Sequence, residues 1–396
     1  MRAGIFSPYL SHVGGGDRYM IALAQMLRGS YDVDLVSLFP LDAEKMQERQ
    51  GIDLDGLRVR ALHRSPGPLY RWLDRHPRWH LYRDLSITND AIKASRGYDL
   101  FVAQYFMTLA PARGRVNILH TQFPHPRRSW KFFLRRPQYW PYAALRFSLF
   151  RGELASYRAV VTQSEFVRHW TRRLWQIEPE VVFPPCQLAP NAIESPRQQI
   201  ILAVARFFGS GYNKSHAALI EGFRALCNQG VTGWELHLVG SRHYEKPEDI
   251  LYYDNLVRQA EGLAVVFHPD LPHSDLESLH RRASIFWHAA GYGADLDGSP
   301  QNAEHFGMST VEAMSWGVVP VVIGIGGQAE IVRDGVDGRT WTEVDQLAAI
   351  TRDLIVSPAE LARLSRAARD RSALFGPDQF RAGFSRLLQK LGLPVP

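Results

Sequence analysis

The sequence predicts an α/β protein built from two doubly wound parallel sheets. The chain has 396 residues, which is long for a single hydrophobic core and suits two α/β domains. Short apolar runs alternate with helical segments through both halves, the pattern of βαβ units in a parallel sheet. Between the halves, the proline-rich residues 184–192 are typical of a hinge.

The strand candidates form two series. In the first half they are residues 2–6, 33–39, 99–105, 116–120 and 159–164, and in the second half residues 200–205, 235–239, 264–268, 284–288 and 318–323. A helix is expected from Asp17, with apolar positions Met20, Ile21, Leu23, Ala24 and Leu27. Ligands of open α/β sheets collect at the carboxyl ends of the strands, so the loops after these runs are the candidate binding positions.

The composition is that of a globular protein, with 45% hydrophobic and 22% charged residues. Because no run of about 18 apolar residues occurs, we expect no transmembrane helix. The apolar part of the N-terminus, residues 2–6, is short for a signal peptide and suits a first buried strand. Cys186 and Cys227 match no metal or redox spacing, so a reducing cytoplasm is the expected compartment.

The charge is unevenly distributed along the chain. Residues 1–197 contain 28 Lys and Arg against 17 Asp and Glu, a net charge of +11, whereas the remainder carries −5. A basic half attracts an anionic partner that the other half does not. The candidates are an acidic surface and an anionic acceptor.

The run from Glu304 to Gly317, followed by an apolar strand and a glycine-rich turn, is the most informative part of the sequence. A strand, a glycine-rich turn and a helix bring backbone N–H groups to one point, where phosphate groups bind. Glu304 and Glu312 can accept hydrogen bonds from hydroxyls. A nucleotide sugar offers both a diphosphate and vicinal hydroxyls. A competing interpretation is a capping box, in which Glu312 only holds the backbone N–H of Ser309 at a helix start.

This run resembles the E-x7-E signature of the retaining glycosyltransferases of family 4, which have the GT-B fold. The resemblance implies two Rossmann-like domains that face a cleft, with a C-terminal helix returning to the first domain. We therefore expect an acceptor-binding domain at residues 1–187 and a nucleotide-sugar-binding domain at residues 188–377. The amphipathic residues 378–396 are expected to pack back on the first domain.

The resemblance also assigns roles to the residues of the run. Glu304 is expected to contact the donor sugar hydroxyls, with the backbone amides near Phe306 and Gly307 lying along the phosphates. Glu312 is expected to accept hydrogen bonds from the ribose hydroxyls. Gly326 and Gly327 would line the same cleft, although a plain turn explains them equally well.

Two cations follow the first strand of the second half. Arg206 and Lys214 can neutralise a diphosphate and stabilise it as it leaves, while a solvated side chain is the usual alternative for either one. In the family the lysine follows the arginine more closely and precedes a glycine. Here the loop is longer and Ser215 follows Lys214, so Arg206 is the safer assignment.

Two features of the first half complete the expected site. Gly14, Gly15 and Gly16 follow the first strand, and their amides can approach a phosphate or an acceptor. The alternative is a flexible turn with Asp17 as the helix N-cap. His120 ends a predicted strand, where family members commonly have a histidine that reaches the donor sugar, although a lone histidine is often structural.

No residue stands out as a covalent nucleophile. Retention in this family is usually drawn as front-face attack, in which the leaving diphosphate takes the acceptor proton and the protein supplies position and charge. Asp295 and Asp297 resemble the D-x-D metal motif of another glycosyltransferase fold. Because Arg206 and Lys214 already supply the charge, we expect no metal and no cofactor besides the nucleotide sugar co-substrate.

Aromatic residues alternate with arginines in residues 70–83 and 127–136. This composition suits an anionic membrane interface, single-stranded nucleic acid, or a solvated face whose aromatics belong to the core. Many resembling enzymes act on a glycan attached to a lipid carrier, which favours the inner face of the cell membrane. Nucleic acid is the less expected partner.

The predicted function is transfer of a hexose from a nucleotide diphosphate sugar to a saccharide or lipid-linked saccharide in surface polysaccharide biosynthesis. Residues 286–291 and 304–307 favour GDP-mannose, and uridine nucleotides come next. An epimerase or a phosphorylase would need its own base or a pyridoxal phosphate lysine, for which we find no support. The non-enzymatic alternative is a GT-B protein that binds nucleic acid or an anionic surface.

Overall fold

A computed structural model describes residues 1–8, 10, 14–106, 109–124, 136–149, 153–190, 196–209, 214–242 and 247–396. The chain forms two compact units. Unit 1 comprises Met1–Gln47, Ile52–Pro185 and Phe380–Pro396, and unit 2 comprises Glu48–Gly51 and Cys186–Gln379. Residues 11–13 of the glycine loop, 127–135 of the second basic segment, 191–192 of the proline-rich segment and 210–213 before Lys214 lie outside the described residues.

Unit 1 contains a parallel sheet in the order β3-β2-β1-β4-β5-β6-β7. Its strands are β1 (Arg2–Phe6), β2 (Asp32–Ser37), β3 (Arg58–Ala61), β4 (Leu100–Phe106), β5 (Val116–Phe123), β6 (Ala159–Thr162) and β7 (Glu180–Val181). Its helices are α1 (Gly15–Leu27), α2 (Ala43–Gln50, of which the last residues group with unit 2), α3 (Pro68–Arg75), α4 (His80–Ala94), α5 (Trp140–Leu149) and α6 (Glu165–Trp175).

The last helix of the chain, Pro377–Lys390, belongs mainly to unit 1. Its apolar side chains are buried in the same core as β1, β2 and α1; they are Phe380, Phe384, Leu387 and Leu388. Amphipathic spacing of this kind places one stripe of a helix against a core. The expected return of the C-terminal helix to the first half is therefore seen in the structure.

Unit 2 contains a parallel sheet in the order β10-β9-β8-β11-β12-β13. Its strands are β8 (Ile200–Val204), β9 (Glu235–Gly240), β10 (Val265–Pro269), β11 (Ile285–His288), β12 (Val319–Ile323) and β13 (Arg339–Trp341). Its helices are α7 (His216–Asn228), α8 (Pro247–Gln259), α9 (His273–Arg282), α10 (Met308–Ser315), α11 (Gln328–Ile331), α12 (Val344–Ile355) and α13 (Pro358–Ser372).

The central strands of both sheets carry unbroken apolar runs because helices cover both faces of a parallel sheet. Every residue of β11 and β12 is buried. Trp287 of β11 is among the largest fully buried side chains, and its indole N–H donates to Thr351 of α12 at 3.0 Å. This packing fixes the position of β11, whose end carries part of the candidate site.

The two α/β halves that the sequence predicts are confirmed. The strands β3, β7 and β13 were not predicted; they are short and lie at or near sheet edges. The first helix begins at Gly15, two residues before the predicted start. Among the described residues, no helix is both long and apolar enough to cross a membrane.

Candidate active site

Each sheet has a topological switch point, a place where successive strands are added on opposite sides. In unit 1 it lies between β1 and β4, and in unit 2 between β8 and β11. Loops that leave these neighbouring strands at their carboxyl ends diverge and form a crevice for ligands. The candidate residues of each unit lie in or beside these loops.

The central feature of unit 2 is the carboxylate of Glu304, in the loop between β11 and α10. The Lys214 ammonium, in the loop between β8 and α7, donates to Glu304 Oε2 at 2.7 Å. His288, the last residue of β11, places Nε2 at 3.2 Å from the same oxygen. Both members of the Lys214–Glu304 pair are 18% exposed at their side chains. The structure thus brings two predicted residues together, with a histidine that was not predicted.

The pKa of Glu304 reflects two opposing effects. Burial alone raises the pKa of this carboxyl, but the Lys214 ammonium and the hydrogen bond from His288 outweigh burial and hold the pKa well below its usual range. Glu304 is therefore ionised at neutral pH. An ionised carboxylate only accepts hydrogen bonds, which suits it to hydroxyl donors.

Lys214 is positioned by an unusual backbone. Ser215, the N-cap of α7, has φ 54° and ψ 39°, in the left-handed region. This conformation costs residues other than glycine about 1–2 kcal/mol. In the family pattern a glycine follows the lysine, and here Ser215 adopts a conformation that glycine adopts without strain. This backbone lies directly after Lys214, whose ammonium contacts Glu304 at 2.7 Å.

The Glu304 loop is also held through its backbone. The Gly327 N–H donates to the Glu304 carbonyl at 2.7 Å. A Cβ at Gly327 would lie 2.6 Å from the backbone N and O of Phe306, and one at Gly326 would lie 2.5 Å from the Glu304 carbonyl oxygen. Close approach of backbone to backbone thus explains both glycines, and it ties the turn after β12 to the Glu304 loop.

The helix after Glu304 begins earlier than the capping-box interpretation requires. Gly307, with φ 118°, is the N-cap of α10, and the helix runs from Met308. Ser309 is therefore inside the first turn, and a capping box between Ser309 and Glu312 is wrong because it needs Ser309 at the N-cap. Phe306 packs its ring against Phe375 in the interior, at 5.6 Å between centroids.

The remaining predicted residues of unit 2 lie on the same elements. Glu312 is half-buried on α10. Arg206 follows β8, as Lys214 does, and its guanidinium lies 4.8 Å from the centre of the Phe208 ring. Asp295 accepts from the backbone N–H groups of Asp297 and Gly298, both at 3.0 Å. The carboxylate of Asp295 therefore stabilises its own loop.

The glycine loop of unit 1 forms the start of α1. Gly14 is the N-cap and Gly15 is exposed in the first turn. Asp17 accepts from the Gly14 N–H at 2.9 Å, so the interpretation of Asp17 as N-cap is wrong. A Cβ at Gly16 would overlap the side-chain amides of Gln104 and Gln122, so a larger residue there would have to displace both amides.

Buried, uncharged polar groups lie at the carboxyl ends of β4, β5 and β6. Gln104 and His120 pair in register on neighbouring strands and are each 1% exposed. Both side-chain polar atoms of Gln104, both ring nitrogens of His120 and Oε1 of Gln163 make no hydrogen bond within the described residues. Leaving such groups buried without partners costs about 1–3 kcal/mol each. Unpaired groups in this number indicate a ligand or ordered water.

The His120 ring is fixed and uncharged. It stacks on Tyr19 with ring centroids 4.0 Å apart, and the Tyr19 hydroxyl donates to the Val182 carbonyl at 3.2 Å. Burial lowers the pKa of His120 to about 3. At neutral pH the ring therefore offers one donor and one acceptor. Gln104 and Gln163 were not predicted as site residues, and their positions near strand ends were the only signal for them.

Part of the first aromatic segment lies on the surface of unit 1. Trp72 of α3 is 46% exposed and Leu69 is 69% exposed, whereas Leu73 of the same helix is buried. Arg71 and Arg75 are exposed on α3, and the Trp72 ring stacks on His76 at 4.5 Å between centroids. The interpretation that all aromatics of this segment belong to the core is wrong for Trp72.

Two doubly wound units, each with a parallel sheet and a switch point, have the architecture of the GT-B fold. The family model for glycosyl transferases group 1 matches residues 189–371. The family model for Glycosyltransferase Family 4 matches residues 13–189. The chain belongs to this family 4 type of glycosyltransferase.

Similar structures cover nearly the whole chain. Anabaena HepE, crystallised with UDP and glucose, has a TM-score of 0.67 at 17% identity and covers 98% of this chain and 100% of its own. Sucrose-phosphate synthase from Thermosynechococcus elongatus has a TM-score of 0.67 at 17% identity and covers 99% of both chains. At these identities the likeness establishes the fold.

Curated relatives match a shorter segment. D-inositol 3-phosphate glycosyltransferases of Mycobacterium tuberculosis and Mycobacterium bovis are 36% identical over 130 residues. The match covers 31% of this chain and 25% of those proteins. The shared segment is thus a quarter of the relatives' length.

Lys214→Met is expected to destabilise the protein in a pH-dependent way. The pKa of Glu304 is about 4.3 in the unfolded chain and lower in the folded protein. The ionised group therefore stabilises the fold above pH 4.3, and this stabilisation is lost as the pH falls through the pKa of the folded state. Without Lys214, only His288 opposes the effect of burial, so the pKa of Glu304 in the folded variant rises. The variant therefore loses most stability at neutral pH, about 3–5 kcal/mol. Urea unfolding at several pH values should show that the difference in free energy of unfolding between wild type and variant decreases from neutral pH to about pH 4.

Lys390→Met is the matched control, because the Lys390–Glu180 pair is largely exposed. An exposed pair contributes about 0–1 kcal/mol. Equal losses for the two variants, or a deficit that does not depend on pH, would contradict the buried ionic cluster.

Proposed function

We propose that the chain is a retaining hexosyltransferase that moves a hexose from a nucleotide diphosphate sugar to a saccharide or lipid-linked saccharide in surface polysaccharide biosynthesis. The observation that carries the proposal is the ionised Glu304, held through one oxygen by Lys214 and His288. A carboxylate with its second oxygen available suits hydrogen bonds from sugar hydroxyls. Lys214 and Arg206 supply positive charge for a departing diphosphate.

The proposed reaction needs no metal and no cofactor besides the nucleotide sugar. The acceptor hydroxyl oxygen bonds to the anomeric carbon on the face from which the diphosphate leaves. The bond from that carbon to the phosphate oxygen breaks, and the diphosphate takes the hydroxyl proton. Amides near Phe306 and Gly307 lie along the phosphates in this proposal, and Glu312 accepts from the ribose hydroxyls.

Two donors are proposed. Residues 286–291 and 304–307 favour a guanine nucleotide carrying mannose. The similar Anabaena HepE was crystallised with UDP and with UDP-glucose, which supports a uridine nucleotide carrying glucose.

The uncharged groups of unit 1 support a saccharide as the acceptor. Carboxamides and a neutral imidazole each provide donors and acceptors, the combination that matches a hydroxyl. In this proposal, Gln104 and Gln163 form hydrogen bonds with hydroxyls of the acceptor. His120 forms a hydrogen bond with a hydroxyl of the sugar substrates. Polar groups placed to bond a hydroxyl also reject analogues that lack it.

One nucleoside diphosphate is expected to stabilise the protein without metal. Thermal unfolding would be followed with GDP, UDP, dTDP, ADP and CMP, with and without Mg²⁺. Ligand at about 100 times its Kd adds about 2.7 kcal/mol, which is a clear shift. Glu312→Ala should lose part of the shift, and Glu261→Ala, at an exposed glutamate of unit 2, should keep it.

The matching nucleotide sugar then tests the chemistry. NMR of the product should show that the anomeric configuration of the donor is retained, in the presence of EDTA. Inversion, or a requirement for metal, would contradict the mechanism. No shift with any nucleotide would contradict the function itself.

Gln104→Leu is expected to separate activity from stability. The change keeps side-chain size and removes two buried polar atoms without partners, so the melting temperature should stay equal or rise. Transfer to the acceptor should fall by about tenfold or more, a loss of about 1.4 kcal/mol. Nucleotide binding should be unchanged. A marked loss of stability would instead identify Gln104 as a structural residue.

We also propose that unit 1 contacts an anionic membrane through α3, on the cytoplasmic face. Leu69 and Trp72 are exposed apolar groups beside Arg71 and Arg75. Aromatic and aliphatic side chains enter the headgroup region while arginines meet anionic lipid. The competing function, a non-catalytic protein that binds nucleic acid or an anionic surface, rests on the same side chains.

Vesicle sedimentation distinguishes these proposals. Binding to phosphatidylglycerol vesicles should weaken with salt and fall severalfold in Leu69→Ala and Trp72→Ala. Leu374→Ala, at an exposed leucine of unit 2, is the control and should bind normally. Equal binding to neutral phosphatidylcholine vesicles would contradict the membrane proposal. Tight binding of a single-stranded oligonucleotide, unaffected by Glu304→Gln, would favour the competing function.

A further inference from the structure

The way Glu304 is held points to a role for His288. Glu304 Oε2 receives both the Lys214 ammonium and His288 Nε2. Oε1 of Glu304 has no hydrogen bond within the described part of the chain. One oxygen is therefore committed to the protein, and the other is left for a ligand.

The hydrogen bonds of His288 define its tautomer. The Ala290 backbone N–H lies 3.4 Å from His288 Nδ1. A backbone amide can only donate, so Nδ1 is the acceptor and Nε2 carries the proton. His288 therefore donates to Glu304. The ring is 4% exposed and ends the buried strand β11, so it has little freedom to turn.

Lys214 is a less rigid holder of the same oxygen. Its ammonium is a point charge with three donors on a flexible stem. In the proposed function this ammonium also approaches the donor diphosphate, which competes for its hydrogen bonds. His288 has no such second task, and it can keep the carboxylate oriented while Lys214 serves the phosphate.

We propose that His288 is a positioning residue for sugar recognition: it orients the Glu304 carboxylate so that Oε1 meets a hydroxyl of the donor sugar. The inference rests on the proposed function, because it needs a sugar at Glu304. His288 acts through Glu304 and has no contact with the nucleotide in this assignment. It therefore affects recognition of the sugar much more than recognition of the diphosphate.

The test compares each nucleotide with its sugar by isothermal titration calorimetry. The probes are GDP with GDP-mannose and UDP with UDP-glucose, and the pair that the wild type binds is used. His288→Leu should weaken the affinity for the nucleotide sugar by about tenfold, equivalent to about 1.4 kcal/mol. The affinity for the free diphosphate should stay within about twofold of the wild-type value. His288→Gln, whose amide can still donate to Glu304, should restore most of the lost affinity.

Two comparisons separate positioning from general support of the fold. In a Glu304→Gln background, His288→Leu should cause little further loss, since residues that act through one contact are non-additive. His280→Leu makes the same change at another buried histidine of unit 2 and should leave both ligands unaffected.

Equal weakening of the diphosphate and the nucleotide sugar would overturn the inference, and so would additive losses with Glu304→Gln. Unchanged binding of the nucleotide sugar by His288→Leu would overturn it as well, with the proposed function intact. If the wild type bound none of the four probes, both proposed donors would be wrong and the inference would fail with them.

Discussion

The ionised carboxylate of Glu304 is the constraint on which the candidate site of unit 2 depends. A buried charge must be paired and hydrogen-bonded, and Glu304 meets this requirement with groups from separate segments. Lys214 comes from the loop after β8 and His288 from the end of β11. The turn after β12 binds the backbone of the Glu304 loop through Gly327. Glu304 therefore links three neighbouring strand ends: its carboxylate joins the ends of β8 and β11, and its backbone carbonyl joins the turn after β12.

Unit 1 uses the same architecture with a different kind of chemistry. Its candidate groups also lie at strand ends beside the switch point, yet they carry no charge. Burial keeps the His120 ring neutral, and Gln104 adds a carboxamide without partners. Charged groups in unit 2 suit a diphosphate, and neutral groups in unit 1 suit hydroxyls. In the proposed function this difference assigns the nucleotide to unit 2 and the acceptor saccharide to unit 1.

The central strands were predictable because buried parallel strands carry unbroken apolar runs. The edge strand β3 was not, because its residues are largely exposed and charged. Glu304 and Lys214 were found through a family pattern, whereas His288 and Gln104 were missed because a single polar residue at a strand end has no diagnostic spacing. The Ser309–Glu312 capping box failed because the left-handed backbone of Gly307 starts α10 earlier. Local rules do not include such tertiary constraints.

The shared use of Lys214 has a consequence for donor selection. Before a ligand binds, the ammonium compensates the Glu304 carboxylate. In the proposed function, a diphosphate that draws hydrogen bonds from Lys214 leaves the carboxylate less well compensated, which opposes binding. Hydroxyls of the donor sugar that donate to Glu304 replace the hydrogen bonds that Lys214 withdraws from the carboxylate. A nucleoside diphosphate alone therefore binds against this cost, while the complete nucleotide sugar does not, so one buried ion pair couples recognition of the phosphate to recognition of the sugar.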